Sequence, residues 1–213
     1  MLESEVKLLR TWSSPFALRI VWALKLKGVK YETILEDLAN KSPSLLQYNR
    51  VHKTFPVLIH GRNTVDLEYI DETWAAGHRL LPEDPYERSV TRFWAKFGDD
   101  QVFVLVWRAF TKQGEALILA LKHLKFVEEY IKEKRFFGDE IGFTDLVFSC
   151  LANLLSILEE VTEVKILDPQ TFPSLLAWIE VFSKVPVVKE NWPPREKMIV
   201  KFKAICKYFL ASK

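Results

Sequence analysis

The 213-residue chain has only two cysteines, Cys150 and Cys206, far apart and each inside an apolar run. That excludes a small scaffold held by disulfides and points to a reducing compartment. An excess of charge of one sign is also lacking. Charged residues reach 27%, yet they nearly cancel to a formal +2, so composition demands neither nucleic acid nor an anionic membrane as partner. The basic segment 197–207 alternates charges with apolar residues at helical spacing, the pattern of a solvated helix face. Long hydrophobic runs are missing too: the stretch 146–158 is broken by Ser149, Asn153 and Ser156 and falls short of a membrane span. Residues 1–7 carry charges where a secretory leader needs apolar residues. The expectation is a soluble, cytosolic protein without internal repeats or low-complexity segments.

What is present is ample core material: 49% hydrophobic residues, with 7 Trp and 15 Phe. Two periodicities divide it. Residues 6–12 form a short apolar run, and 15–27 carry helical spacing through Phe16, Ile20, Ala23 and Leu24 before Gly28 stops the helix. Alternation over 29–35 predicts a strand, 57–59 another after Pro56, and Leu67, Ile70 and Trp74 mark one face of a further helix. Residues 78–86 are polar and hold Pro82 and Pro85, which predicts a linker. Beyond it the spacing is helical over 89–112, 115–133, 143–160 and 173–184, with a last helix ending near Leu210. The predicted organisation is an α/β domain over 1–77 followed by an all-helical domain over 87–213.

Several stretches, in this order, resemble the tau class of plant glutathione transferases. They include Arg10-Thr11-Trp12-Ser13-Ser14-Pro15-Phe16, Lys27-Gly28-Val29, Val51-His52-Lys53-Thr54-Phe55-Pro56-Val57, Glu68-Tyr69-Ile70-Asp71-Glu72, Arg92-Phe93-Trp94-Ala95 and Gly142-Phe143-Thr144-Asp145-Leu146. The likeness spans nearly the whole chain. It implies a thioredoxin-like N-terminal domain with a helical C-terminal bundle, conjugation of glutathione to apolar electrophiles, a homodimer, and roles in detoxification and stress response. Glutathione would be the co-substrate, with no metal.

Ser14 is the expected catalytic residue. Preceding Pro15, it is biased away from helical dihedrals and suits the N-cap of the first helix. The resemblance adds that a serine in this Ser-Pro-Phe setting donates a hydrogen bond to the sulfur of glutathione. Ser13 is its neighbour, but the spacing to Pro-Phe favours Ser14. Serine cannot form a mixed disulfide, which argues against the thiol-transferase relatives that use cysteine there. Phe55-Pro56 resembles the family's cis-proline step, whose main-chain groups pair with the glutathione backbone. Lys41 and Lys53 match positions that hold the glycine carboxylate. For the apolar substrate, Phe16, Trp107 and Phe110, with Tyr208-Phe209, are expected to line a cleft. Asp145 is expected to be structural, the third residue of a helix whose cap is Gly142.

One segment departs from the family. Members continue after the third strand through a hairpin and a fourth strand to a Glu-Ser pair that opens the next helix and grips the γ-glutamyl end. Here only Gly61-Arg62-Asn63-Thr64-Val65-Asp66 precedes Leu67-Glu68-Tyr69. Two placements of the gap arise. In the preferred one, the fourth strand is lost or reduced, Asn63 caps the helix in the serine's place, and Arg62 stands in the glutamate's. In the other, the helix is shortened and Asp66 stands near the glutamate's position. Arg10 and Arg50 also replace residues usual in the family, glycine and proline. The leading functional expectation is an active transferase with some reduction of hydroperoxides. The alternative is a ligand carrier of the same fold with an impaired glutathione site, and behind it an interaction module without a small ligand.

Overall fold

The computed structural model describes residues 5–37, 39–75, 77–112 and 114–211, so the first four residues of the charged N-terminal segment lie outside it. The chain divides into two compact units, Met1–Leu80 and Leu81–Lys213.

In the first unit, strand β1 (Val6–Arg10) leads through helix α1 (Pro15–Leu26) to β2 (Glu32–Leu35). Helix α2 (Pro43–Tyr48), β3 (Val57–His60), β4 (Asn63–Val65) and helix α3 (Leu67–Thr73) follow. The sheet order is β2-β1-β3-β4. β1 and β2 are parallel, with Arg10 beside Leu35, and α1 supplies the crossover that a parallel pair requires. β3 runs antiparallel to both neighbours, placing Leu9 opposite Val57 and Leu58 opposite Val65. Leu8 and Leu9 point to opposite faces of β1 and both are fully buried, because helices cover the central strands on both sides.

Local chemistry sets the ends of α1. Ser14 caps it with extended dihedrals and Pro15 occupies its first turn. At the other end Gly28 takes φ +66°, its N–H bonding Lys25 O at 3.0 Å while Val29 N bonds Leu24 O at 2.8 Å. That left-handed turn is the glycine stop predicted from the sequence. Just before it, Lys27 makes a buried ion pair with Asp71 of α3 at 2.6 Å, and Asp71 also accepts from Leu80 N at 2.8 Å. One carboxylate thus joins α1, α3 and the end of the unit.

The preferred placement of the gap is overturned. A fourth strand is present, reached by a two-residue turn, Gly61-Arg62, with Gly61 at φ +64°. Asn63 does not cap the helix: it pairs with His60 in the ladder. Asp66 is the cap, its carboxylate accepting from Tyr69 N at 2.9 Å. Aspartate is among the strongest N-caps, whereas Asn63 is more useful to the hairpin, where a residue is needed opposite His60. α3 is seven residues long.

The second unit holds helices α4 (Pro85–Phe97), α5 (Val104–Lys112), α6 (Glu115–Ile131), α7 (Phe143–Thr162), α8 (Pro173–Lys184), α9 (Pro186–Glu190) and α10 (Arg195–Ala211). The predicted helix over 89–112 is two helices joined by a π-helical stretch, Gly98–Phe103. A Cβ on Gly98 would lie 3.0 Å from the Phe148 ring, so glycine is what lets the chain approach α7 there. Pro85, read as part of a linker, instead begins α4 behind the Asp84 cap. α7 is buried on nearly every side, and most of the other helices pack around it.

Buried carboxylates close this bundle by accepting from main-chain N–H groups. Glu128 of α6 takes Ser174 N and Leu175 N at 2.7 Å, at the start of α8. Glu159 takes Ile166 N and Leu167 N at 2.7 and 2.8 Å. Asp145, wholly buried, takes Gly142 N at 2.9 Å, Phe137 N at 3.2 Å and the Trp178 indole at 2.7 Å. Among the described residues, no helix is long and apolar enough to cross a membrane.

Candidate functional site

Sheet topology gathers the site. β1, β2 and β4 run in one direction and β3 in the other. The ends of β1, β2 and β4 and the start of β3 therefore share one edge of the sheet. From β2 the chain proceeds to Lys41, from β1 to Ser14 and from β4 to Asp66, while Lys53 and Phe55-Pro56 lead into β3. Asn63 and Arg62 belong to the opposite edge, in the row of Val6 and His60, so they are not gathered with the rest. Strands lie about 4.8 Å apart, so β1 and β4 are separated by about 10 Å, the reach of an extended tripeptide.

At the centre of this edge the Ser14 oxygen accepts from Ala17 N at 3.3 Å. Its hydroxyl hydrogen has no acceptor among the described residues. The first turn of α1 contains no acidic residue, so its partial positive charge is not neutralised. Ser14 is 8% exposed and Ser13 2%, while Trp12 and Phe16 beside them are 37% and 38% exposed. The site thus offers a small donor between two open apolar side chains. The Arg19 guanidinium lies 4.8 Å from the Phe16 ring centroid.

The Phe55–Pro56 peptide is cis. The Phe55 ring packs against the core of Leu9, Leu45, Val57 and Ile59, leaving its main chain along the edge. Neither its N–H nor its C=O has a hydrogen-bond partner among the described residues. The loop before it is closed by Asn49, whose side chain donates to Thr54 O at 2.8 Å and accepts from His52 N at 3.1 Å. That loop holds Lys53 at φ +50° and exposes its side chain, and Lys41 is exposed as well. Arg50 is exposed too, with its Nε donating to Gln47 O at 3.3 Å.

Arg10, the last residue of β1, has its Nε buried without a hydrogen-bond partner. Burial lowers the pKa of its guanidinium, against the pull of the nearby Tyr31 phenol. At the β4 end of the edge, Thr64, Val65, Asp66 and Tyr69 line an open cavity of about 360 Å3. The Tyr69 hydroxyl meets His60 Nδ1 at 2.9 Å, and Trp74 lies against both rings. Asp66 was the less favoured reading of the sequence. Its signal was ordinary: an aspartate three residues before an amide it could cap.

The expected apolar lining divides differently. Phe16 belongs to the first unit. In the second unit Trp107 is half-buried and contacts Phe202 and Phe209, each at 6.1 Å between centroids. Phe110 is fully buried and is a core side chain, which corrects its assignment to a ligand surface. Both residues lie on α5 about 60° apart around the helix, and Phe110 falls on the side that the bundle covers while Trp107 stands at its half-open border.

Residues 4–71 match the family described as Glutathione S-transferase, N-terminal domain, and residues 93–186 match Glutathione S-transferase, C-terminal domain. The maize protein Glutathione transferase GST 23 is 41% identical over 96% of both chains. The solved structure of a tau class glutathione S-transferase from mango, Mangifera indica, superposes with a TM-score of 0.86 at 36% identity, over 94% of this chain and 98% of that one. A rice glutathione transferase solved in complex with glutathione gives a TM-score of 0.88 at 28% identity, over 98% and 99%. With both family domains matched in order on a fold of this topology, the chain belongs to the glutathione S-transferase family, as a relative of its plant tau-class members.

Proposed function

We propose that the protein conjugates glutathione to apolar electrophiles, with Ser14 holding the sulfur as a thiolate. The supporting observation is the order of groups along one sheet edge: Lys41 after β2, a hydroxyl and a helix N-terminus after β1, Lys53 and the cis Phe55–Pro56 step before β3, and a carboxylate after β4. Glutathione carries the complementary series of carboxylate, thiol and ammonium. A free thiol of pKa ~8.5 is only a few per cent thiolate at neutral pH. Lowering that value by ~2 units requires ~2.7 kcal/mol of preference for the anion. One hydrogen bond to a charged group contributes ~1.5–3 kcal/mol and a helix N-terminus ~0.3–1 kcal/mol, so the two together suffice.

The thiol proton leaves to solvent, the sulfur pair forms a C–S bond at the electrophilic carbon, and the leaving group departs with its own pair. The open N–H and C=O of Phe55 pair with the cysteinyl main chain of the ligand as an added strand would. Lys41 and Lys53 hold its glycine carboxylate, each contributing roughly 0.2–1 kcal/mol in so exposed a place. We place the protein in the cytosol. Calorimetric titration with glutathione, alongside turnover of an activated aryl chloride, tests the proposal. Sub-millimolar binding with turnover is expected. Firm binding of an apolar dye with no heat from glutathione would leave the carrier reading instead.

We also propose a homodimer. On α4 and α6, Phe93, Trp94, Phe97, His123 and Phe126 form a chain of ring contacts at 5.6–6.4 Å. Phe93 and Phe126 in this chain are 62% and 52% exposed. So much aromatic surface in water favours a cover, and a second copy of the same face supplies one. Sedimentation velocity should give a dimer for the wild type and a shift to monomer for Phe93→Ser combined with Phe126→Ser. A folded wild-type monomer at micromolar concentration would refute it.

A further inference from the structure

We infer that Glu36 is a positioning residue for the proposed glutathione site: by closing the loop before α2 it holds Lys41 in place to meet the glycine carboxylate of the peptide. This rests on the proposed function and concerns how one end of its ligand is read.

Glu36 directly follows the last residue of β2, and Ser42 caps α2. Alternation along β2 puts Glu36 on the face of Ile34, which packs with Leu45 of α2. Glu36 is buried, and both of its carboxylate oxygens serve Ser42. One accepts from the Ser42 N–H at 3.2 Å and the other from the Ser42 hydroxyl at 2.5 Å. The Ser42 oxygen in turn accepts from Leu45 N at 3.0 Å, and the Glu36 N–H donates to Arg10 O at 2.9 Å. One residue thus ties the end of β1, from which the chain leads to Ser14, to the start of α2. Among the described residues Glu36 has no cationic partner, so its charge is met by these two donors.

Between Glu36 and Ser42 the described residues, 37 and 39–41, form neither helix nor strand. The outer turn is held locally, Asp37 accepting from Ala39 N at 2.9 Å on its carboxylate and from Asn40 N at 3.1 Å on its carbonyl. The base is held by Glu36 alone, and Lys41 is the residue immediately before that closure. Lys41 is exposed, and its ammonium has no partner among the described residues. A lysine brings four flexible carbons of its own. If the backbone beneath it also moved, an arriving carboxylate would have to order both, and that cost would come off the affinity. Charge-assisted bonds in the interior are the strong kind, and breaking them strands a buried carboxylate, so the loop stays shut before the ligand arrives. Lys53 stands on the separate loop that Asn49 closes and does not share this support.

Two peptides separate the effects in calorimetric titrations of the full chain at low salt: glutathione and its glycinamide, which lacks the terminal carboxylate. Wild type should prefer glutathione by about tenfold, since two exposed lysines read that group. Glu36→Ala should weaken glutathione about fivefold and leave the glycinamide within about twofold of wild type. Lys41→Ala should do the same, and the double variant should be no weaker than Lys41→Ala alone, because Glu36 acts through Lys41. In turnover, Glu36→Ala should raise KM for glutathione about fivefold with kcat within about twofold. Glu36→Gln keeps the volume and one acceptor. It should show the same selective loss at about twofold, and it decides the matter if the alanine variant does not fold. Equal weakening of both peptides would make Glu36 a purely structural residue and overturn the inference while leaving the transferase reading standing. Additive losses in the double variant would overturn it too, as would a wild type that binds the two peptides equally. Failure of wild type to bind either peptide would overturn both readings.

Discussion

Ser14→Ala is expected to lower turnover about tenfold at pH 7 and to have little effect above pH ~9. If the bound thiol has a pKa near 6.5, about three quarters is thiolate at pH 7, against about 3% at 8.5. That alone is a loss of about 25-fold. A more basic thiolate is intrinsically the better nucleophile, with a Brønsted slope of ~0.4–0.5, and this returns part of the loss. The decisive readout is therefore the pH profile: the inflection in kcat/KM should move up by about two units toward the free thiol. Removing the cap also costs about 1 kcal/mol of stability, so a second variant is needed. Ser14→Thr keeps both the hydroxyl and the cap and should keep the low inflection, whereas Ser13→Ala should leave the profile unchanged. An unmoved inflection in Ser14→Ala would remove Ser14 from the chemistry.

The largest structural effect is expected at Asp145. Its carboxylate is fully buried and satisfies the Trp178 indole together with the main-chain N–H groups of Phe137 and Gly142. Asp145→Ala strands three donors, each costing about 1–3 kcal/mol when left unsatisfied, offset by relief of a buried charge. A net loss of about 3 kcal/mol lowers Tm by roughly 6–12 °C in a chain of this size. Burial pushes the Asp145 carboxyl up to about 6, against the three donors that pull it down. The folded protein then holds this proton more tightly than the unfolded chain, whose aspartate titrates near 3.9, so this group's stabilisation is greatest in acid and falls as pH rises from about 4 to about 6. The integral is up to about 3 kcal/mol. Asp145→Asn lacks the titration, so the Tm advantage of wild type over this variant should be larger at pH 4.5 than at pH 7. A gap that widens toward neutral pH would reverse the sign.

Much of this was legible because it is local. Ser14-Pro15 marks a helix start, Gly28 a stop, and Gly142 with Asp145 another start, each within four residues of chain. The change of periodicity across 78–86 separated the two halves for the same reason. The β4 segment was not legible. Its three residues, Asn63–Val65, contain one apolar side chain, too little for a pattern, and its strand exists because β3 offers a register in which Leu58 meets Val65. Once β4 forms, the chain reaches the site edge at Asp66, and Asn63 is left at the other end of the sheet. The burial of Phe110 beside the half-open Trp107 is likewise a matter of which face of α5 meets the bundle.

Sequence by itself determined the ends of the main helices and the identity of the nucleophile-holding candidate, since capping and proline rules act over a single turn. Tertiary structure alone decided which of the polar residues share an edge. Strand direction and register carry residues from four distant segments to one line, and those are properties of pairing between strands rather than of any segment read alone.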